Sequence, residues 1–236
     1  MAQARGLFER ALSLDPLNIE ALVGVASVDM ALAGAFITDD RAARLAMAET
    51  TLIKTLSYVP DHAAAHMLLG CVQMYTNRAA QGLAECERAL VLDRNLADAH
   101  GFIGLAKYFA GRGAETEAHI HEATRLSPRD VYAFRWFLIA GFAKFQLAKD
   151  AEAASWLLRS IEANRNYPIS HVSLAAALAL LGSLDQARAA AKTGLKIDPS
   201  FTIRRFRDGA STDDPAYLAG RKRICEGMRL AGVPEG

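Results

Sequence analysis

Short turn segments recur along this chain at a fixed distance. Ser13-Leu14-Asp15-Pro16, Tyr58-Val59-Pro60-Asp61, Leu126-Ser127-Pro128-Arg129 and Ile197-Asp198-Pro199-Ser200 each close a stretch of small and bulky apolar residues. Pro60 to Arg94 is 34 residues, Arg94 to Pro128 is 34, and Arg165 to Pro199 is 34. A period of that length holds two helices and a turn, and such a unit buries its apolar face only by stacking on its neighbours.

Within the period the residue sizes are fixed as well. Counting from Ala63, His66 is position 4, Leu69 is 7 and Gly70 is 8, while Gly82, Cys86 and Ala89 take 20, 24 and 27. From Ala97 the same positions hold His100, Ile103, Gly104, Thr116, Ile120 and Ala123. From Pro168 they hold His171, Leu174, Ala175, Ala187, Ala191 and Gly194. Small residues at 8, 20 and 27 let paired helices approach closely, and bulky ones fill the gaps between them. The pattern is that of the tetratricopeptide repeat. The expected fold is all-α, a right-handed superhelix of antiparallel helix pairs with a C-terminal capping helix.

The expected array covers residues 1–201. It has a leading half-repeat over 1–18 and repeats from about 19, 63, 97, 131 and 168, followed by a linker and capping helix over 202–236. Ala4, Phe8, Ala11 and Pro16 fit a second helix that lacks its first, so the sequence reads as a fragment or as starting inside a larger array. Pro16 to Pro60 is 44 residues, with the surplus around 34–45 and a long second helix from Thr38–Asp40 to Tyr58. Pro128 to Arg165 is 37, and the surplus is expected as a longer turn or helix around Phe145–Asp150. Arg94 and Arg165 stand where the pattern prefers proline, which predicts local loosening at those turns. Asp214-Pro215 starts the last helix. Its apolar face, Tyr217, Leu218, Ile224, Cys225 and Met228, is expected to cover Leu174, Leu178 and Leu195.

Further segments resemble the C-terminal tetratricopeptide region of bacterial class III adenylate/guanylate cyclases. They are Arg125-Leu-Ser-Pro-Arg-Asp130, Ser155-Trp156-Leu-Leu-Arg159, Asn164-Arg-Asn-Tyr-Pro168, Asp198-Pro-Ser-Phe-Thr-Ile203 and Gly227-Met-Arg-Leu-Ala-Gly-Val-Pro-Glu235. Similar regions occur in winged-helix transcriptional regulators. The resemblance implies an interaction or regulatory region. Nucleotide cyclisation in such proteins belongs to a separate domain with paired metal-binding aspartates, which no segment here matches.

Composition narrows the function. Net charge is +1 with Lys and Arg spread along the chain, which argues against a nucleic-acid or anionic-membrane binder. Cys71, Cys86 and Cys225 lack metal-ligand spacing and read as reduced thiols of a cytoplasmic protein. His119 and His121 point about 200° apart on a helix and cannot share one ion. His66, His100 and His171 repeat one packing position. No catalytic, cofactor or metal site is expected.

First-helix positions 2, 5, 9 and 12 line the inner surface of such arrays. Here they give a candidate partner groove of Met67, Met74, Leu105, Tyr108, Tyr132, Arg135, Ile139 and Phe142. This lining is apolar and aromatic. It suits a protein or peptide with an apolar face, a neighbouring domain, or a second copy of the chain. The other reading is that the groove closes on itself. The sequence thus points to a protein–protein or interdomain scaffold of a bacterial signalling protein. The alternatives are the repeat region of a winged-helix regulator and a stand-alone peptide-binding adaptor.

Overall fold

A computed structural model describes residues 2–34 and 40–236. Among these residues there are thirteen helices and no strand. In the first part of the chain lie α1 (Ala2–Leu14), α2 (Ile19–Gly34), α3 (Arg41–Tyr58), α4 (Ala63–Tyr75), α5 (Ala79–Leu92) and α6 (Ala97–Phe109). After them come α7 (Gly113–Leu126), α8 (Ala133–Gln146), α9 (Asp150–Ala163), α10 (Pro168–Leu180) and α11 (Leu184–Ile197). The chain closes with α12 (Ile203–Asp208) and α13 (Pro215–Leu230). Residues 1–106 and 107–236 form two compact units.

Two kinds of turn generate the helix pairs. Inside each pair the fifteenth residue is left-handed: Asn77 at φ 61°, Gly111 at 70°, Ala148 at 53° and Gly182 at 82°. The next amide then reaches back to the helix it leaves, as Arg78 N to Gln73 O at 2.9 Å and Lys149 N to Lys144 O at 3.0 Å. This is the left-handed helix stop that glycine and asparagine favour. Between pairs an Asp or Asn side chain accepts the amide two residues on. Asp93 does so from Asn95 at 2.9 Å, Asn164 from Asn166 at 3.0 Å and Asp198 from Ser200 at 3.0 Å. That local bond sets the turn. The turns at Arg94 and Arg165 are therefore no looser than the one at Pro199. The backbone bonds Leu96 N to Asp93 O, Tyr167 N to Asn164 O and Phe201 N to Asp198 O all measure 3.3 Å. Proline is dispensable there because the Asx side chain makes the turn.

The fourth repeat differs from its sequence reading. Its surplus does not fall around Phe145–Asp150, where α8 passes to α9 through the same short turn as the other pairs. It falls after Pro128, where Asp130 accepts from Tyr132 N at 2.8 Å and delays the helix. A Cβ on Gly141 would sit 2.9 Å from Leu157, and one on Gly70 would sit 2.8 Å from Cys86. Gly141 is thus the small residue at position 8, which places position 1 at Phe134 and not at 131. For the long repeat, α3 runs to Tyr58 from an Asp40 N-cap that makes no side-chain cap bond. Thr38 and Asp39 lie outside the described residues.

In the first unit α1 packs on α2, α2 on α3 and α4, and α4 on α5. Val23, Met30, Leu45, Leu52, Leu68 and Val72 lie in its core. Asp29, 1% exposed, is held by Arg5 of α1 and by Arg44 of α3 at 3.0 Å. The leading helix is thereby tied to the first pair by charge as well as by packing. In the second unit α8 packs on α7 and α9, and α10 on α9 and α11. The Lys144 ammonium is buried between Glu117 of α7 and Glu152 of α9, 2.6 Å from each.

Candidate functional site

The eight groove residues have different surroundings. Met74 is fully buried, and its Cγ lies where a Cβ on Gly82 would come within 2.7 Å, so it packs inside its own hairpin. Met67 and Leu105 are buried. Ile139 is buried at position 6 once the fourth repeat is counted from Phe134, and is not a lining position. Tyr132 precedes α8 and is 48% exposed. Arg135 lays its guanidinium over the Tyr132 ring at 5.1 Å and the Phe134 ring at 5.6 Å. Tyr132 and Phe142 stand at opposite ends of α8, so Tyr108, Tyr132 and Phe142 do not make one strip.

Tyr108 and Phe142 do meet, with ring centroids 5.9 Å apart, yet they are 2% and 8% exposed. What covers them is the end of the chain. As expected, α13 lies on α10 of the last pair, which carries Leu174 and Leu178, but it also lies on α8, the first helix of the pair before, and has no contact of that size with α11. Leu218, expected on the buried face of α13, is exposed.

The seating of α13 follows from its residues. Asp214 caps it by accepting from Tyr217 N at 2.9 Å, and Pro215 opens the first turn. The Tyr217 ring meets Tyr108 edge-on at 5.0 Å and Phe109 at 5.4 Å. Its hydroxyl accepts from Ser211 N at 3.2 Å. Gly220 lies against Gln146, where a Cβ would come within 2.8 Å of Cγ. Gly227 lies on the Ala176 backbone, where a Cβ would come within 2.5 Å of the carbonyl oxygen. Gln146 Nε2 in turn donates to Tyr108 O at 2.7 Å. From α12, Phe206 reaches Phe142 at 6.0 Å. At the rim Arg223 Nε donates to Asp150 at 3.0 Å.

Arg221 sits in the middle of this contact and is 5% exposed. Its Nη2 donates to the Phe206 carbonyl, and its Cζ lies 3.9 Å from the Phe206 ring centroid and 5.5 Å from that of Tyr217. Among the described residues it has no carboxylate partner. Burial pushes the Tyr108 phenol up, Tyr217 adds to the shift, and Arg221 opposes it. Burial also raises the Cys225 and Cys86 thiols, so neither suits nucleophilic work.

Two of the position-4 histidines hold turns. His66 Nε2 is 2.8 Å from the Pro60 carbonyl, and His171 Nε2 is 2.9 Å from that of Arg165, six residues back in each case. His66 Nδ1 also meets Glu85 at 2.6 Å. His121 rests 5.4 Å from the Trp156 ring. No group of three or more His, Cys, Asp or Glu residues that could hold a metal ion occurs among the described residues. Nor is any helix among them long and apolar enough to cross a membrane.

No protein-family profile and no curated protein matches the sequence. Solved structures do match its fold. A structure from a functional characterisation of Pseudomonas aeruginosa PilF superposes with a TM-score of 0.61 at 21% identity, over 83% of this chain and 88% of that one. A thermophilic TPR protein of Thermus thermophilus gives 0.60 at 17% identity, over 86% and 99%. A chain of the APC/C hetero-tetramer Cut9–Hcn1 gives 0.69 at 14% identity, over 94% of this chain and 39% of that one. The fold is all-α and of the tetratricopeptide-repeat type.

Proposed function

We propose that this chain is a protein–protein or interdomain interaction scaffold without catalytic activity of its own. The observation that carries the reading is the first-helix face of the second unit. It holds an amphipathic helix, α13, through aromatic rings and through glycines pressed on backbone. A surface that holds one apolar helix has the chemistry to hold another. The Cut9–Hcn1 neighbour is itself part of a hetero-tetramer.

In this reading residues 1–201 are the array and 202–236 its linker and closing helix. The resemblance of Asn164–Pro168, Asp198–Ile203 and Gly227–Glu235 to cyclase-associated repeats supports a regulatory role beside a class III cyclase domain in a bacterial cytoplasm. Arg135, half-buried, is the accessible member of the candidate groove, and the exposed Tyr132 ring stacks on its guanidinium just before α8. The partner is a protein with an apolar face, and neither nucleic acid nor membrane is expected.

The test is a titration of the full chain against a purified class III cyclase catalytic domain taken from a protein with such repeats. ATP and GTP turnover by the chain alone is measured with Mg²⁺ and Mn²⁺. Saturable binding that Tyr132→Ala weakens, with no turnover by the chain, is expected. Turnover that a point mutation in this chain abolishes would overturn the reading.

A further inference from the structure

The way α13 is seated carries more than the presence of a groove. We propose that the first-helix face of α8 and α10 is a helix-binding site and that α13 is its resident, displaceable ligand. A partner helix with small residues seven apart would enter by taking its place. This rests on the scaffold reading and names the ligand class of that same site.

Three observations point this way. First, α13 is built as a groove ligand. Tyr217, Ile224 and Met228 are buried on one side, while Lys222, Glu226 and Arg229 reach solvent on the other. Gly220 and Gly227, two helical turns apart, let its backbone press on Gln146 and Ala176.

Second, α13 follows a non-helical tether. Residues 209–214 form no helix, and the further ties of α13 to α12, Arg221 on Phe206 and the chain end where Pro234 O and Glu235 O accept from Ile203 N and Arg204 N at 2.9 Å, must part when α13 leaves. Six extended residues span roughly 20 Å, enough to swing a helix clear of the face.

Third, the seat is imperfect at its centre. Arg221 is buried against a carbonyl, two rings and the Tyr108 phenol, with no carboxylate among the described residues. A buried guanidinium loses its water, and a carbonyl and ring faces replace only part of what it loses. The Phe206 carbonyl does not depend on it, because Gly209 N also donates there at 3.2 Å. The resident helix is thus weaker than one of the same shape with Met or Leu at this point. That is the property a displaceable occupant requires.

Hydrogen exchange on the full-length chain tests this directly. Amides of α13 should exchange at least tenfold faster than those of α8 and α10, and Arg221→Met should slow them at least tenfold. In a second measurement the probe is a labelled peptide of residues 212–232 carrying Arg221→Met. It should bind full-length Gly227→Val at least tenfold more tightly than it binds the unchanged chain. In that variant the new side chain meets the Ala176 backbone and expels the resident helix. The proposal is overturned if α13 exchanges in step with α8 and α10, or if Arg221→Met speeds its exchange. It is equally overturned if Gly227→Val keeps its helical signal and leaves the peptide unbound. Should that variant fail to fold, the exchange comparison still decides. No outside partner takes part, so failure here leaves the scaffold reading to the cyclase titration.

Discussion

Ala148 is the one residue out of character among the four turns that join paired helices. It holds φ 53° where Asn77, Gly111 and Gly182 stand in the equivalent turns. A Cβ in that region costs roughly 1–2 kcal/mol, part of which a glycine gives back as unfolded-state entropy. Ala148→Gly should therefore raise stability by about 0.5–1 kcal/mol, read as a higher urea midpoint. The reverse change, Gly182→Ala, should lower it by a similar amount. A drop for Ala148→Gly would mean that the turn is not left-handed. At Gly70 the constraint is packing. A Cβ would come within 2.6 Å of the Gly82 carbonyl oxygen, so Gly70→Ala should cost about 1–3 kcal/mol by forcing α4 and α5 apart.

Elements are tied to each other by polar clamps as well as by size. Hydrogen bonds from Lys144 hold Glu117 and Glu152 below the ordinary carboxylate range, against the opposing effect of partial burial. Burial alone would lower the Lys144 ammonium, but the two carboxylates outweigh it and leave it raised. The depressed carboxylates add stability that is complete above their ordinary value of 4.5 and is lost as pH falls through their folded values. The raised lysine adds stability that is complete below 10.5 and is lost as pH rises through its folded value. The urea midpoint should be flat between these limits and fall on both sides. Lys144→Met should flatten the acid limb, and an acid limb unchanged by it would place the titrating groups elsewhere. The helix pairs themselves were legible because their size pattern is local and repeats. The register of the fourth repeat is hidden in the sequence because its extra residues follow Pro128, and because the turn that would mark it carries Ala148 in place of glycine. Gly141 was the available signal, since a small residue eight from the start belongs opposite Leu157.

At the scale of the molecule, the sequence showed that α13 is amphipathic and caps the last repeat, but not that it also covers α8. That reach depends on side chains far apart in the chain, such as Tyr217 against Tyr108 and Gly220 against Gln146. No periodic pattern encodes such pairs. The consequence is that Tyr108 and Phe142, which read as groove lining, behave as core. Each aromatic truncation to alanine in a buried site costs about 3–5 kcal/mol, and these rings are close enough for the two effects to overlap. The double change Tyr108→Ala and Phe142→Ala should therefore lower the melting temperature sharply and release α13. It should not act as a clean loss of partner binding. Tyr132→Ala, at a half-exposed ring, should move stability by no more than about 0.5 kcal/mol while weakening a partner. If the double variant instead melts with the parent chain, the rings are free, and α13 does not rest on them in solution.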